Sequence, residues 1–363
     1  MKQIKNISFF AIMLGFLVCC QSKDSYYFNG VIRYIDASQK IVRNVTCKSV
    51  SLDGIYTGMI AAYDSLFICW HPGFSSHFFN VFNIDTGEQL GSFCEKGRGP
   101  KEAISVNCIY QLFKKGNDII SLLYASNEGK LFFWNISQSI EREKTVYDTV
   151  VPYHNNSIQF HFYQSEDTLL AFKASDFLDI ATATTPFYEK RTIYSNELIK
   201  EYPIYKMRSV QNMNTEWSFY TWDVIKPDGS KVAQAMQGLP QINILDINTG
   251  NIVGFRMRNG PNFSLIETGT GSMNAYYHCL QADDNYIYAS YWGKGAIRGR
   301  IGDDAPLINT IHVFDWNGKL LHELIADRPF YRSMWLDQIR NRLYSMDIDT
   351  DELYYLDLAE LVL

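Results

Sequence analysis

The sequence predicts an all-β fold, a six-bladed β-propeller with four-stranded antiparallel blades. Three observations predict it. A strand–turn–strand unit recurs along the chain, aromatic residues reach 15% while proline is sparse, and no long amphipathic helix appears. Aromatic and β-branched side chains suit the pleated, half-buried surface of a strand.

The unit is clearest where VFNIDTGEQLGSF (81–93) aligns with ILDINTGNIVGFR (244–256) through the Thr-Gly and the later glycine. Each reads as a hairpin, because apolar residues alternate on both sides of an Asp/Asn-Thr-Gly turn whose glycine supplies a positive φ. VFDWNGKLLHEL (313–324) is a shorter copy built on Asn317-Gly318, a strong two-residue hairpin signal. Weaker copies are read at LFFWNISQSIER (131–142), KRTIYSNELIKE (190–201) and LYYLDLAELVL (353–363). Six units imply a period of about 55 residues, room for four strands and long loops. A pair of β-sandwiches would need a linker near the middle, and no Pro/Gly/Ser-rich stretch divides the chain. One domain is expected over 26–363.

The N-terminus has the layout of a secretory signal, with Lys2 and Lys5 ahead of an apolar run from Ile7 to Val18. That run is too short to span a bilayer core comfortably. It ends at Leu17-Val18-Cys19-Cys20, and the layout resembles bacterial lipoprotein signals cut before a lipid-bearing cysteine. Residues 1–19 are expected to leave, Cys20 to carry the lipid, and 20–25 to form a tether. This places the chain in the cell envelope, as an outer-membrane lipoprotein facing the periplasm or the surface.

The net charge of −6 argues against nucleic acid as a partner. Cys47, Cys69, Cys94, Cys108 and Cys279 lack C-x-x-C spacing, so no zinc site is indicated, and one disulfide is the most that is expected. No HExxH or G-x-S-x-G occurs, and GFSSH (73–77) ends in histidine where a nucleophile elbow needs glycine. His71 with His77 and His154 with His161 have no diagnostic metal spacing. DIDTDE (347–352) begins like a calcium loop but places Glu352 where glycine is needed, so a hairpin turn is expected and calcium is only an alternative.

GSFCEKGRGPKE (91–102) raises the question of a phosphate cradle. A dinucleotide fingerprint would need glycine where Glu102 stands, and Pro100 interrupts the loop. The stretch reads instead as a crossover from the outer strand of one blade to the inner strand of the next. Trp134 and Trp335 are read as packing between blades.

With the lipobox, the T-G-x-x-L-G hairpin running into GRGPKE, and the ending NTIHVFDWNGKLLHEL with RLYSMDIDTDELYYLDL, the chain resembles the TolB-like six-bladed propeller lipoproteins of the Bacteroidetes. The resemblance implies fold and location and carries little chemistry. One departure is RMRNGPNF (256–263), which keeps Gly260-Pro261 but lacks the earlier glycine.

Propeller topology puts the crossovers and the loops between second and third strands on one face. The long loops there are expected at 70–77, 173–187, 221–238 and 291–304, joined by Arg98, Arg258, Arg328 and Arg332 from crossovers. His71, Arg98, Trp222, Arg258, Trp292, Arg298 and Arg300 are the candidate ligand-binding residues. Tryptophan faces would stack on a sugar or planar group, and arginine forks would match an anion. The expected function is a lipid-anchored, non-enzymatic module binding a protein, glycan or small anionic ligand, with no catalytic residue and no required cofactor. The alternative is a propeller hydrolase or lactonase holding a metal ion in its central channel.

Overall fold

The computed structural model of the chain describes residues 27–153, 158–173, 187–206, 219–263, 274–295, 307–331, 333–347 and 350–361. Its first three strands, β1 (Val31–Ile35), β2 (Ile41–Val45) and β3 (Lys48–Val50), form no sheet of their own. The blades follow. Blade 1 is β4 (Met59–Tyr63), β5 (Leu66–Trp70), β6 (His77–Asn83) and β7 (Gln89–Glu95). Blade 2 is β8 (Leu112–Lys115), β9 (Asp118–Ala125), β10 (Lys130–Asn135) and β11 (Tyr147–Pro152). Blade 3 is β12 (Ile158–Tyr163), β13 (Thr168–Lys173), β14 (Phe187–Thr192) and β15 (Leu198–Pro203). Blade 4 is β16 (Thr221–Ile225), β17 (Lys231–Met236), β18 (Gln241–Asp246) and β19 (Ile252–Met257). Blade 5 is β20 (Asn274–Ala282), β21 (Tyr286–Gly295), β22 (Thr310–Asp315) and β23 (Leu320–Ala326). Blade 6 has only β24 (Met334–Asp337), β25 (Arg342–Met346) and β26 (Leu353–Asp357) from the C-terminal part.

The N-terminal strands complete the ring. β1 pairs in parallel with β19 and β2 with β23, each as a fifth outer strand, and β3 pairs antiparallel with β26 as the fourth strand of blade 6. The terminal stretch 353–363 is therefore not a hairpin. After β26 the chain turns into a 3-10 helix at Leu358–Leu361, because Leu358-Ala359 offers no turn residue, and the missing partner comes from 48–50. The unit at 131–142 also departs from expectation. Asn135 caps a short helix, α1 (Ile136–Glu141), accepting from the Gln138 N–H at 2.9 Å, where the other copies have a glycine turn. The hairpins at 81–93, 190–201, 244–256 and 313–324 form as expected, with Gly87, Gly250 and Gly318 at positive φ.

The stretch 221–238, expected as a face loop, is instead β16, a tight Asp228-Gly229 turn and β17. The polar Pro-Asp-Gly-Ser run is an inner hairpin turn, and the connection to β18 is only 237–240. Likewise 291–295 belongs to β21.

Apolar side chains alternate toward both neighbouring blades, so the core is a ring of interblade clusters. Trp134, on β10, packs its ring 4.8 Å from Phe79 of blade 1. Trp335, on β24, donates from Nε1 to the Ala62 carbonyl on β4 at 2.8 Å. Both tryptophans join blades, as their sequence context implied. Cys47, Cys69, Cys94, Cys108 and Cys279 are all unbridged.

Candidate functional site

Alternate connections emerge at alternate ends of a meander. Connections between second and third strands therefore share one face with the crossovers, and hydrogen bonds tie the two sets together. The Lys96 N–H donates to the Ser76 carbonyl at 2.9 Å, the Ile104 N–H to Glu128 at 2.7 Å, and the Met257 N–H to the Pro240 carbonyl at 3.0 Å.

The glycine loop is occupied by its own sequence. The Glu102 carboxylate accepts from the Gly99 N–H at 2.9 Å, and a Cβ on Gly97 would collide with that carboxylate. The anion seat that two closely spaced glycines suggested is thus filled by the residue that replaces the third glycine. The loop is the crossover from β7 to β8, as its sequence indicated. Lys96 pins the neighbouring loop by donating to the carbonyls of Pro72 and Phe74, with its ammonium 4.9 Å from the Phe78 ring.

His71 lies half-buried in that loop and accepts at Nδ1 from the Gly73 N–H at 3.0 Å. Arg98 is exposed in the crossover from blade 1, and Arg258 is exposed in the crossover from blade 4. In a six-membered ring those blades stand opposite each other, so the two arginines occupy opposite sides of the face. Arg258 approaches Asp36 between β1 and β2, whose pKa is lowered first by hydrogen bonds from Ser38 and then by this cation. Trp222 is on the inner strand β16 and packs with Tyr291 into the cluster shared by blades 4 and 5. Trp292, half-buried near the end of β21, lies on the next blade. Cys20, Arg298, Arg300 and Arg332 lie outside the described residues. The fold therefore groups Trp222 with Trp292 on adjacent blades and separates Arg98 from Arg258.

Sequence reasoning missed the seam between blades 3 and 4. Asp223 and Gln234 are cross-strand partners on β16 and β17, facing blade 3. The Asp223 Oδ2 accepts from the Tyr188 hydroxyl and, at 3.1 Å, from Gln234 Nε2. Burial pushes the Asp223 pKa up to about 6, tempered by Tyr188, Thr221 and Gln234. Beside it, Asn243 Nδ2 donates to the Tyr205 hydroxyl at 2.8 Å, Gln241 to Asn243 at 2.6 Å, and Arg256 Nε to Gln241 at 2.8 Å. The available signal was a polar residue at an apolar beat, Gln234 within KVAQAM.

Elsewhere, His161 is buried between the rings of Tyr124 and Tyr153, and burial, with a smaller contribution from Arg191, pushes its pKa down to about 3. In the 347–352 turn, Glu352 accepts from Arg328 at 2.7 Å and Asp351 from Thr57 at 3.1 Å. Among the described residues, no group of three or more His, Cys, Asp or Glu side chains is arranged to hold a metal ion.

The sequence profile of the TolB-like 6-blade propeller-like family matches residues 39–332. Among solved structures, the chain is similar to a member of the DUF4221 family from Bacteroides vulgatus, with a TM-score of 0.57 and 11% identity over 86% of this chain and 97% of that one. It also resembles a Bacteroides fragilis protein provisionally described as exported, with a TM-score of 0.48 and 13% identity over 87% and 99% of the two chains. At such identities the likeness concerns the fold. No curated protein matches the chain. The six-bladed ring and the profile spanning most of its length agree: the chain belongs to the TolB-like six-bladed propeller family.

Proposed function

We propose that the chain is a lipid-anchored cell-envelope propeller that binds a protein, glycan or small anionic ligand on its crossover face without catalysing a reaction. The observation that carries this reading is the asymmetry between the faces. On one, the hairpin turns 84–88, 193–197, 247–251 and 316–319 are short, with 136–146, which carries α1, the long exception. On the other, 71–76, 126–129, 153–157 and 237–240 are short, but the connections 96–111, 174–186, 204–220, 258–273 and 296–309 are long. A rigid scaffold that spends its extra residues on one face fits binding there, since function concentrates on loops held by a scaffold.

The anchor is argued from the Leu17-Val18-Cys19-Cys20 run, which supports lipidation at Cys20 and an envelope location. The test is a pull-down and glycan screen with the membrane-extracted protein, comparing wild type with a folded Trp292→Ala, Arg298→Ala, Arg300→Ala variant. Loss of a captured ligand in the variant supports the site, and equal capture refutes it. Fatty-acid labelling of the same preparations should vanish in Cys20→Ala. Persistence of the label would remove the anchor from the reading.

A further inference from the structure

The seam between blades 3 and 4 holds acceptors without donors. Asp223 Oδ1 and Gln234 Oε1 are sealed from solvent and accept no hydrogen bond, although Gln234 is 1% exposed. Buried acceptors of this kind cost free energy unless something supplies the donor. The groups facing Asp223 are Thr221 and Gln234 on its own sheet, Tyr188 on β14, Tyr205 just beyond β15, and Tyr110 in the crossover that leads to β8; the Thr221 hydroxyl favours the carboxylate form but stands outside hydrogen-bond geometry. Among the described residues, no lysine, arginine or histidine contributes to the Asp223 environment. The phenols are all held well above their ordinary pKa, first by burial, so they remain neutral beside the carboxylate.

We propose that Asp223, Gln234 and the surrounding rings of Tyr188 and Tyr205 form a binding site for the primary ammonium group of a small organic ligand. The chemistry follows from what the site lacks. Two unmet acceptors ask for a group with at least two N–H donors, an unpaired carboxylate asks for positive charge, and aromatic walls favour a cation over an anion. The route in is short. Asp223 is the third residue of β16, only half-buried as a residue, and the strand begins at the crossover face beside the exposed Tyr220. This site is separate from the loop residues of the proposed function and stands whether or not those bind a partner.

The test is thermal denaturation of the full chain in methylammonium, tetramethylammonium and sodium chloride at matched ionic strength. At pH 8, methylammonium should raise the midpoint by roughly 2 °C or more over sodium. Tetramethylammonium, with no N–H, should not. Apparent affinity should fall about tenfold per pH unit below 6, as Asp223 takes up its proton. The response should disappear in Asp223→Asn and in Gln234→Leu, and if the first fails to fold, the second decides. Equal shifts from all three salts, no shift in wild type, or a methylammonium shift that persists in the variants would overturn the site. The loop-face triple variant should keep the response, which separates failure of this site from failure of the loop reading.

Discussion

Two seams of the ring each seal an aspartate oxygen from solvent on an inner strand, and they treat the carboxylate differently. Between blades 6 and 1, Asp337 accepts from the backbone N–H groups of Ile339 at 3.0 Å and Arg340 at 3.4 Å, with the Arg340 cation beside it. Arg340 itself grips Asp85 of blade 1 through both Nη atoms, at 2.6 and 2.7 Å, and Asp64 through Nε at 3.3 Å. Ser333 Oγ accepts from the Ile60 N–H at 3.2 Å, so this seam is stitched across by Ser333, Trp335 and Arg340. Between blades 3 and 4, Asp223 faces phenols, the Thr221 hydroxyl and an amide, and among the described residues no cation acts on it. Both carboxylates leave one oxygen without a hydrogen bond and both pKa values are raised by burial. The difference is the counter-charge. At the closing seam Arg340 lies beside Asp337, whereas among the described residues no cation acts on Asp223, and the buried Arg256 of the same seam is turned to Gln241 instead.

The sharpest way to break the comparison is Trp335→Ala, which removes a large interblade side chain and its hydrogen bond at the closing seam. It should cost about 3–5 kcal/mol, read as a lower denaturant midpoint in urea. A loss under about 1 kcal/mol would show that the seam does not depend on Trp335.

Asp223→Asn should act in the opposite direction. The folded pKa of Asp223 stands above its unfolded value, so the folded chain keeps this proton longer than the unfolded one. That favours the native state below about pH 4, and the advantage is lost as pH rises through 6. The variant should therefore match wild type near pH 4 and exceed it by about 2–3 kcal/mol at pH 8. A pH-independent difference would mean that the carboxylate is not isolated from cations.

Arg340→Ala should have the smallest effect. Asp85 and Asp64 are each more than half exposed, so water and salt screen the clamp and its loss should cost about 1 kcal/mol or less. Adding 1 M salt should shrink the gap between variant and wild type. A gap that survives salt would identify a packing role for the Arg340 stem.

The chain's own letters determined the architecture. Asp/Asn-Thr-Gly and Asn-Gly turns between alternating strands specify hairpins locally, because a tight turn needs the φ that glycine provides, and repetition of such hairpins implies blades. Glu102 also marked the glycine loop as something other than a phosphate cradle. The pattern misled where one residue type serves two local structures: Asn135 caps a helix instead of turning a hairpin, and Pro227-Asp228-Gly229 turns an inner hairpin within what resembled a long loop. What only the tertiary structure decided is which distant segments meet. β3 completing blade 6, and β1 and β2 running along blades 4 and 5, join residues about 300 and 200 or more positions apart, and a strand's letters do not name its partner. The same holds for the site. Asp223 and Gln234 read as ordinary polar residues until Tyr188 and Tyr205 of the neighbouring blade close over them, because burial and nearby charge are properties of the packed neighbourhood.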